Sequence, residues 1–227
     1  MRLGILGTGV VGQTIAAKLK ELGHEVMIGT RDVSKTQASQ EKTAMGSPPF
    51  SEWHKGHQNV KLGTFAEASK FGERVFLCTN GAGTLDAIKL AGPENFNGKT
   101  VADISNPLDF SKGMPPTLLS RFANTNSLGE EVQKALPGAH VVKTLNIVNC
   151  EVMVNAKKTG GDPSMFVAGN DAKAKDQVKE ILKQFGWSDI VDLGDISGAR
   201  GMEMLVILWV RTWGAIQNGY FGFKIVR

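Results

Sequence analysis

Leu3, Ile5 and Leu6 form a short apolar run, and then the rhythm changes. Ile15, Ala16, Leu19 and Leu22 recur at helical spacing across Gln13–Leu22, so a strand is followed by an amphipathic helix. After Gly23 a second strand is predicted at Glu25–Ile28. The alternation continues with a helix over 34–44 and an irregular insertion at Gly46–Gly56, which holds Pro48 and Pro49. Next come a strand at Val60–Leu62, a helix at Phe65–Phe71, a buried strand at Arg74–Thr79 and a helix at Thr84–Leu90. Thr100–Ile104 is a further strand. Ser127-Leu128-Gly129-Glu130 opens a helix through a capping box, Pro137 bounds it, and His140–Leu145 is the next strand. Strands at Met165–Ala168 and Asp189–Asp192 flank a helix at Ala172–Phe185, and one apolar-rich helix is predicted from Ser197 to about Phe221. This order predicts an α/β fold. Residues 1–150 form a Rossmann-type, doubly wound parallel sheet, and residues 151–227 a small C-terminal α/β region ending in the long helix. That helix is apolar on most sides, so part of its burial is expected from a second subunit.

Between the first strand and helix lies Gly7-Thr8-Gly9-Val10-Val11-Gly12, a G-x-G-x-x-G in the strand–turn–helix context of a dinucleotide site. Gly7 suits the tight turn, Gly9 the close approach of a pyrophosphate, and Gly12 the packing of helix on sheet. The helix N-terminus adds unpaired N–H groups and partial positive charge. An NAD site places Asp or Glu at the end of the second strand. This chain has Thr30-Arg31 there, with Lys35 close behind, a hydroxyl and two cations suited to a 2′-phosphate. Asp32 reads as solvent-facing or helix-capping. The expected cofactor is NADP.

Composition narrows the class. The chain has 227 residues, 41% hydrophobic and 21% charged, and a net charge of +4 with no Lys/Arg run, which argues against a nucleic-acid partner. Met204–Val210 is too short to span a bilayer and Arg211 ends it. A strand at the very start leaves no space for a signal peptide, and Cys78 and Cys150 form no metal motif, so a cytoplasmic enzyme with reduced thiols is expected.

Ligands of such sheets sit beyond the carboxyl ends of the parallel strands. That rule selects Thr8–Val11, Thr30–Arg31, Thr79–Asn80, Ser105–Asn106 and Asn146–Cys150, all small or polar. Asn80-Gly81-Ala82-Gly83 reads equally as a nicotinamide-side contact or as a helix-entry turn. Catalytic residues stay unassigned. Carbonyl reduction needs a proton donor, and His24, His54, His57, His140, Tyr220 and Lys143 are poorly placed or better read as structural. The His54/His57 pair lacks further ligands, so no metal is expected. Hydride transfer between a nicotinamide and a flavin-like ring needs mainly two aligned heterocycles, and it tolerates this lack.

These residues together resemble the NADPH-dependent F420 reductases, the F420H2:NADP+ oxidoreductases, whose fold also occurs in the cytoplasmic domain of STEAP metalloreductases. The similarity runs the length of the chain. It is carried by G-T-G-V-V-G, by Gly29-Thr30-Arg31 with Lys35, by Val141–Asn146 (V-V-K-T-L-N), and by Leu193 followed by Gly198-Ala199-Arg200 and Glu203. The resemblance implies NADP phosphates over Thr8–Val11 and a 2′-phosphate on Thr30, Arg31 and Lys35. It places the nicotinamide near Thr79–Asn80 and Asn149–Cys150. A deazaflavin or flavin acceptor would lie against Asn146, Ile147, Val148 and Met202. It also implies a homodimer through the C-terminal helix. A reductase of a small carbonyl substrate and a non-catalytic NADPH-binding protein stay open as alternatives.

Overall fold

A computed structural model of the chain describes residues 1–42 and 47–227. Its opening unit is β1 (Arg2–Leu6), α1 (Val10–Glu21) and β2 (Glu25–Thr30). The buried side of α1 carries Gly12, Gln13, Ile15, Ala16 and Leu19, the helical spacing that selects one face for the sheet. Then follow α2 (Val33–Ala38), α3 (Phe50–Lys55), β3 (Lys61–Thr64), α4 (Phe65–Phe71), β4 (Arg74–Leu77), α5 (Thr84–Ala91) and β5 (Thr100–Asp103). A hairpin with two-residue strands, β6 (Leu108–Asp109) and β7 (Thr117–Leu118), precedes α6 (Leu128–Ala135) and β8 (His140–Thr144). The last third holds α7 (Cys150–Met153), β9 (Ser164–Gly169), α8 (Ala172–Gln184), β10 (Asp189–Asp192) and α9 (Ala199–Ile216).

One sheet runs β10-β9-β8-β5-β4-β1-β2-β3. From β3 to β8 all neighbours are parallel, in the 3-2-1-4-5-6 order of a Rossmann fold, with the switch point between β1 and β4. β9 then pairs antiparallel with β8, Val142 facing Gly169, and β10 follows β9 in parallel. Residues 151–227 thus extend the sheet of residues 1–150 with reversed polarity. Buried clusters cover both faces. One joins Ile15, Leu19, Val152, Ile181, Trp187 and Met202, and the other Ala68, Ile88, Phe96, Val132 and Ile196.

Four elements depart from expectation. The helix predicted over 34–44 ends at Ala38 and buries none of its residues, so no packing extends it beyond its Asp32 cap. The rest of that prediction reaches residues 43–44, and the insertion begins at 46, both outside the described residues. The insertion itself is partly ordered into α3, where Pro49 precedes the first helical residue and Trp53 stacks on His57 at 4.1 Å. The β6–β7 hairpin had no recognisable apolar alternation. The final helix stops at Ile216 because Gln217 takes φ +52°. The chain then turns back, and Phe221 stacks on Trp209 at 5.3 Å. Among the described residues no helix is long and apolar enough to cross a membrane.

Candidate active site

The loop from β1 to α1 is held by backbone geometry. Gly7 has φ +124°, and a Cβ there would meet the Cys78 carbonyl at 2.6 Å. A Cβ on Gly12 would meet the Gly7 carbonyl at 2.1 Å, so the helix packs directly onto the turn. Gly9 differs, since a Cβ there would enter open space. Gly9 also precedes α1 without a side-chain cap, which leaves the helix's first N–H groups free for an anion. Gln13 Nε2 donates to the Thr8 carbonyl at 2.8 Å and braces the loop from within α1.

Two cavities of about 340 Å³ each flank this loop. The first is lined by Thr8, Gly9, Thr30, Arg31, Lys35, Thr36, Ser39, Pro49 and Phe50, with Asp32 and Glu41 as its acids. The Asp32 carboxylate accepts from the Lys35 backbone N–H at 2.9 Å, which settles its role as the cap of α2. Thr30 and Thr36 share a hydroxyl hydrogen bond of 2.7 Å. The Arg31 and Lys35 side chains are exposed and form no ion pair among the described residues. An uncapped helix end, an unfilled glycine cradle and two uncommitted cations fit a dinucleotide with a 2′-phosphate.

The second cavity opens between Val10–Val11, the ends of β4, β5 and β8, the β6–β7 hairpin and α9. Thr79, Asn80, Ser105, Asn106, Asn146, Val148, Asn149 and Cys150 line it, so the structure gathers most of the strand-end residues in one place. No Asp, Glu, Lys, Arg, His or Tyr is among its lining residues, within the described chain.

A family model described as NADP oxidoreductase, coenzyme F420-dependent, matches residues 2–107. A solved structure from Arthrobacter sp. FB24, provisionally named an F420-dependent NADP reductase, is 50% identical, with 100% of both chains covered and a TM-score of 0.93. The chain belongs to this family. The F420-dependent NADP reductase of Methanothermobacter marburgensis is 25% identical over 92% of this chain and 91% of its own. The rat metalloreductase STEAP3 is 24% identical over 93% of this chain but only 38% of that protein, so the chain spans well under half of that relative.

This NADP-linked oxidoreductase builds the second cavity partly from residues the sequence did not single out. Leu108, Phe110, Met114 and Pro116 come from the hairpin, and Val206, Trp209, Val210 and Trp213 from α9. The α9 set follows i, i+3, i+4, i+7, a signal visible within the apolar helix once its lining face is known. Two expected acceptor contacts lie elsewhere. Met202 is 1% exposed and Ile147 0% exposed; both sit in the core and neither lines the cavity. Position along α9 explains Met202: it lies on the same stripe as Val206 and Trp209 but a turn nearer the helix start, where its side chain packs into the core, while its carbonyl accepts from Asn146.

The alternative proton donors are committed elsewhere in the oxidoreductase. The rings of His54 and His57 are bonded to the Val60 and Trp53 carbonyls at 2.8 Å each. Tyr220 lies under Lys158 and is not among the cavity's lining residues. Cys78 and Cys150 are free thiols, and burial pushes both thiol pKa values up, so neither is a ready nucleophile at neutral pH.

Lys143 explains two of the family motifs at once. It is fully buried, with Nζ 3.0 Å from Asp103 Oδ2 and 2.8 Å from Glu203 Oε1, and it donates to the Ser105 carbonyl. Burial alone would lower the pKa of its ammonium; Asp103 and Glu203 outweigh that and hold it above the usual lysine range. Glu203 also accepts from the Leu128 and Gly129 N–H groups, at 2.8 and 2.9 Å, so the start of α6 balances the second carboxylate. Arg200 adds a two-pronged contact to Glu130, at 2.6 and 2.8 Å. A Cβ on Gly129 would meet the Ala199 Cβ at 2.8 Å, so α6 and α9 meet closely at their starts. Lys143 is therefore a strut that ties the Ser105 wall to α9.

Proposed function

We propose that the enzyme transfers a hydride between NADPH and a flat, uncharged ring of deazaflavin or flavin type, held face to face in the second cavity. The observation that carries this reading is that no Asp, Glu, Lys, Arg, His or Tyr is among that cavity's lining residues in the described chain; the titratable groups there are the thiols of Cys78 and Cys150, whose pKa values burial pushes up. Reduction of a small carbonyl places charge on oxygen and calls for a proton donor beside it. Ring-to-ring transfer calls for alignment and exclusion of water, which apolar walls provide.

NADP(H), when bound, supplies or takes the hydride. The chain's own residues position it. Gly7–Gly12 and the start of α1 hold the pyrophosphate, and Thr30, Arg31 and Lys35 hold the 2′-phosphate. Thr79–Asn80 and Asn149–Cys150 flank the nicotinamide. Ser105 and Asn106 form the floor between them, while Asn146, Val148 and the α9 face enclose the acceptor. Trp209 and Trp213 keep water from the far side. A homodimer through α9 belongs to the same proposal, since Met204, Leu208 and Ile216 are 44%, 53% and 52% exposed on it.

The test is NADPH oxidation with coenzyme F420, FMN, FAD, ferric chelates and simple ketones offered in parallel. Turnover with ring acceptors alone is expected. Turnover confined to ketones overturns the proposal.

A further inference from the structure

Among the described residues three buried polar side-chain atoms lack a hydrogen-bond partner: His24 Nε2, Asn146 Oδ1 and Trp209 Nε1. His24 precedes β2, at the opposite edge of the sheet from the site. The other two belong to residues that line the second cavity. An unpaired buried donor or acceptor is destabilising, and it usually marks a partner from outside the chain.

Asn146 is 2% exposed, and its amide is locked. Its Nδ2 donates to Asn106 Oδ1 at 2.9 Å and to the Met202 carbonyl at 3.0 Å, while Asn106 Nδ2 donates to the Asn146 carbonyl at 2.7 Å. Turning the amide over would set Oδ1 against the Met202 oxygen, so Oδ1 stays an acceptor with no donor. The indole of Trp209 is a donor only. Its plane is set by Trp213 at 6.1 Å and Phe221 at 5.3 Å. Each of the other Ser, Thr and Asn side chains in the cavity already makes at least one hydrogen bond within the fold. Thr79 bonds Thr84, Asn80 accepts from Ala82, Ser105 donates to Asp103, and Asn149 accepts from Glu151.

The two residues are linked through α9 and line the same cavity. Asn146 is bonded to the Met202 carbonyl, and Trp209 lies seven residues further along α9, about two turns and ~10 Å of rise on the same face. Side chains on a helix lean toward its N-terminus, which brings the indole back toward Asn146.

We propose that Asn146 and Trp209 read the imide edge of the acceptor ring. A ring N–H donates to Asn146 Oδ1, and a neighbouring ring carbonyl accepts from Trp209 Nε1. This rests on the reading of the acceptor as a deazaflavin or flavin, the rings that carry such an edge. The carboxamide of nicotinamide offers the same pair of groups, so the cofactor is measured separately.

The test uses the full chain with deazariboflavin and its imide-N-methyl derivative. Binding is followed by ligand fluorescence anisotropy, and NADPH affinity by a separate titration. The wild type is expected to favour the unmethylated ring about tenfold. Trp209→Phe keeps the ring stack and is expected to weaken deazariboflavin about tenfold with NADPH affinity unchanged. Asn146→Ala is expected to erase the preference between the two rings, with folding checked by thermal melting. Deazariboflavin binding that ignores both methylation and Trp209→Phe overturns the inference and leaves the proposed reaction standing. A matching loss of NADPH affinity in both variants assigns the pair to the carboxamide and overturns it as well. No binding of any ring, with turnover of ketones, overturns the reaction and the inference together.

Discussion

The two cavities beside the glycine loop have the same volume, about 340 Å³, and opposite construction. The first cavity draws its cations from one short segment, Thr30 to Lys35, and leaves them exposed. The second cavity gathers residues from Val10 to Trp213, and none of its described lining residues carries charge. A phosphate attracts cations across several ångströms, with a Debye length of about 8 Å at physiological salt, so its binding groups need little support. A neutral ring offers no such reach. It is recognised only at contact, by shape and by a few hydrogen bonds, and so its walls must be held rigidly. The buried Asp103–Lys143–Glu203 strut and the locked Asn106–Asn146 pair serve the second cavity and have no counterpart among the described residues of the first.

The largest expected effect tests that rigidity. Lys143→Met leaves two buried carboxylates facing each other without their cation and should cost about 3–5 kcal/mol in urea unfolding. A loss below about 1 kcal/mol would show that the strut is not needed. Because folding raises the lysine pKa, its contribution is complete below the ordinary value of about 10.4 and is lost as pH rises through the folded value. The wild type should therefore lose stability in strong alkali by a component that the variant lacks.

Gly9→Val comes next. Its Cβ meets nothing in the fold, so stability should be kept while NADPH affinity falls about a hundredfold, ~2.7 kcal/mol, as the side chain fills the phosphate path. Gly12 offers the contrast, since there a side chain meets the Gly7 carbonyl and the fold itself should suffer. Unchanged NADPH binding by Gly9→Val would move the phosphates off this loop.

Arg31→Ala is the gentlest probe. It should raise KM for NADPH about tenfold, ~1.4 kcal/mol, and leave NADH nearly unaffected. Equal losses with both nucleotides would remove the 2′-phosphate role and erase the contrast between the cavities.

That contrast also governs what could be read from the chain alone. The Gly7–Gly12 turn and the Asp32 cap form within a few residues of one another, so their local pattern carried their geometry and put Thr30 and Arg31 beside the same cavity. Trp209 and Trp213 stood out only as part of an apolar helix, because which face lines a cavity is decided by how α9 docks. Met202 shares that stripe with Trp209, but docking buries the first turn of the helix in the core, and this depth along α9 leaves no trace in the sequence. Phe110 and Met114 carried no signal, since an exposed hairpin with two-residue strands leaves no periodicity. Strand polarity was equally silent at β9, because alternation of apolar residues has no direction. The aromatic residues after Ile216 mimicked a continuing helix, although they pack by folding back.

Val206, Trp209, Val210 and Trp213 form a single stripe on α9, beyond the turn where Glu203 pins the helix. Substitutions confined to one short stretch of the gene therefore reshape the second cavity without touching the glycine loop or the segment from Thr30 to Lys35. On the proposed reading, lineages that inherit the same nucleotide are free to diverge in the electron acceptor they serve, and a library limited to these codons would retrace that divergence in the laboratory.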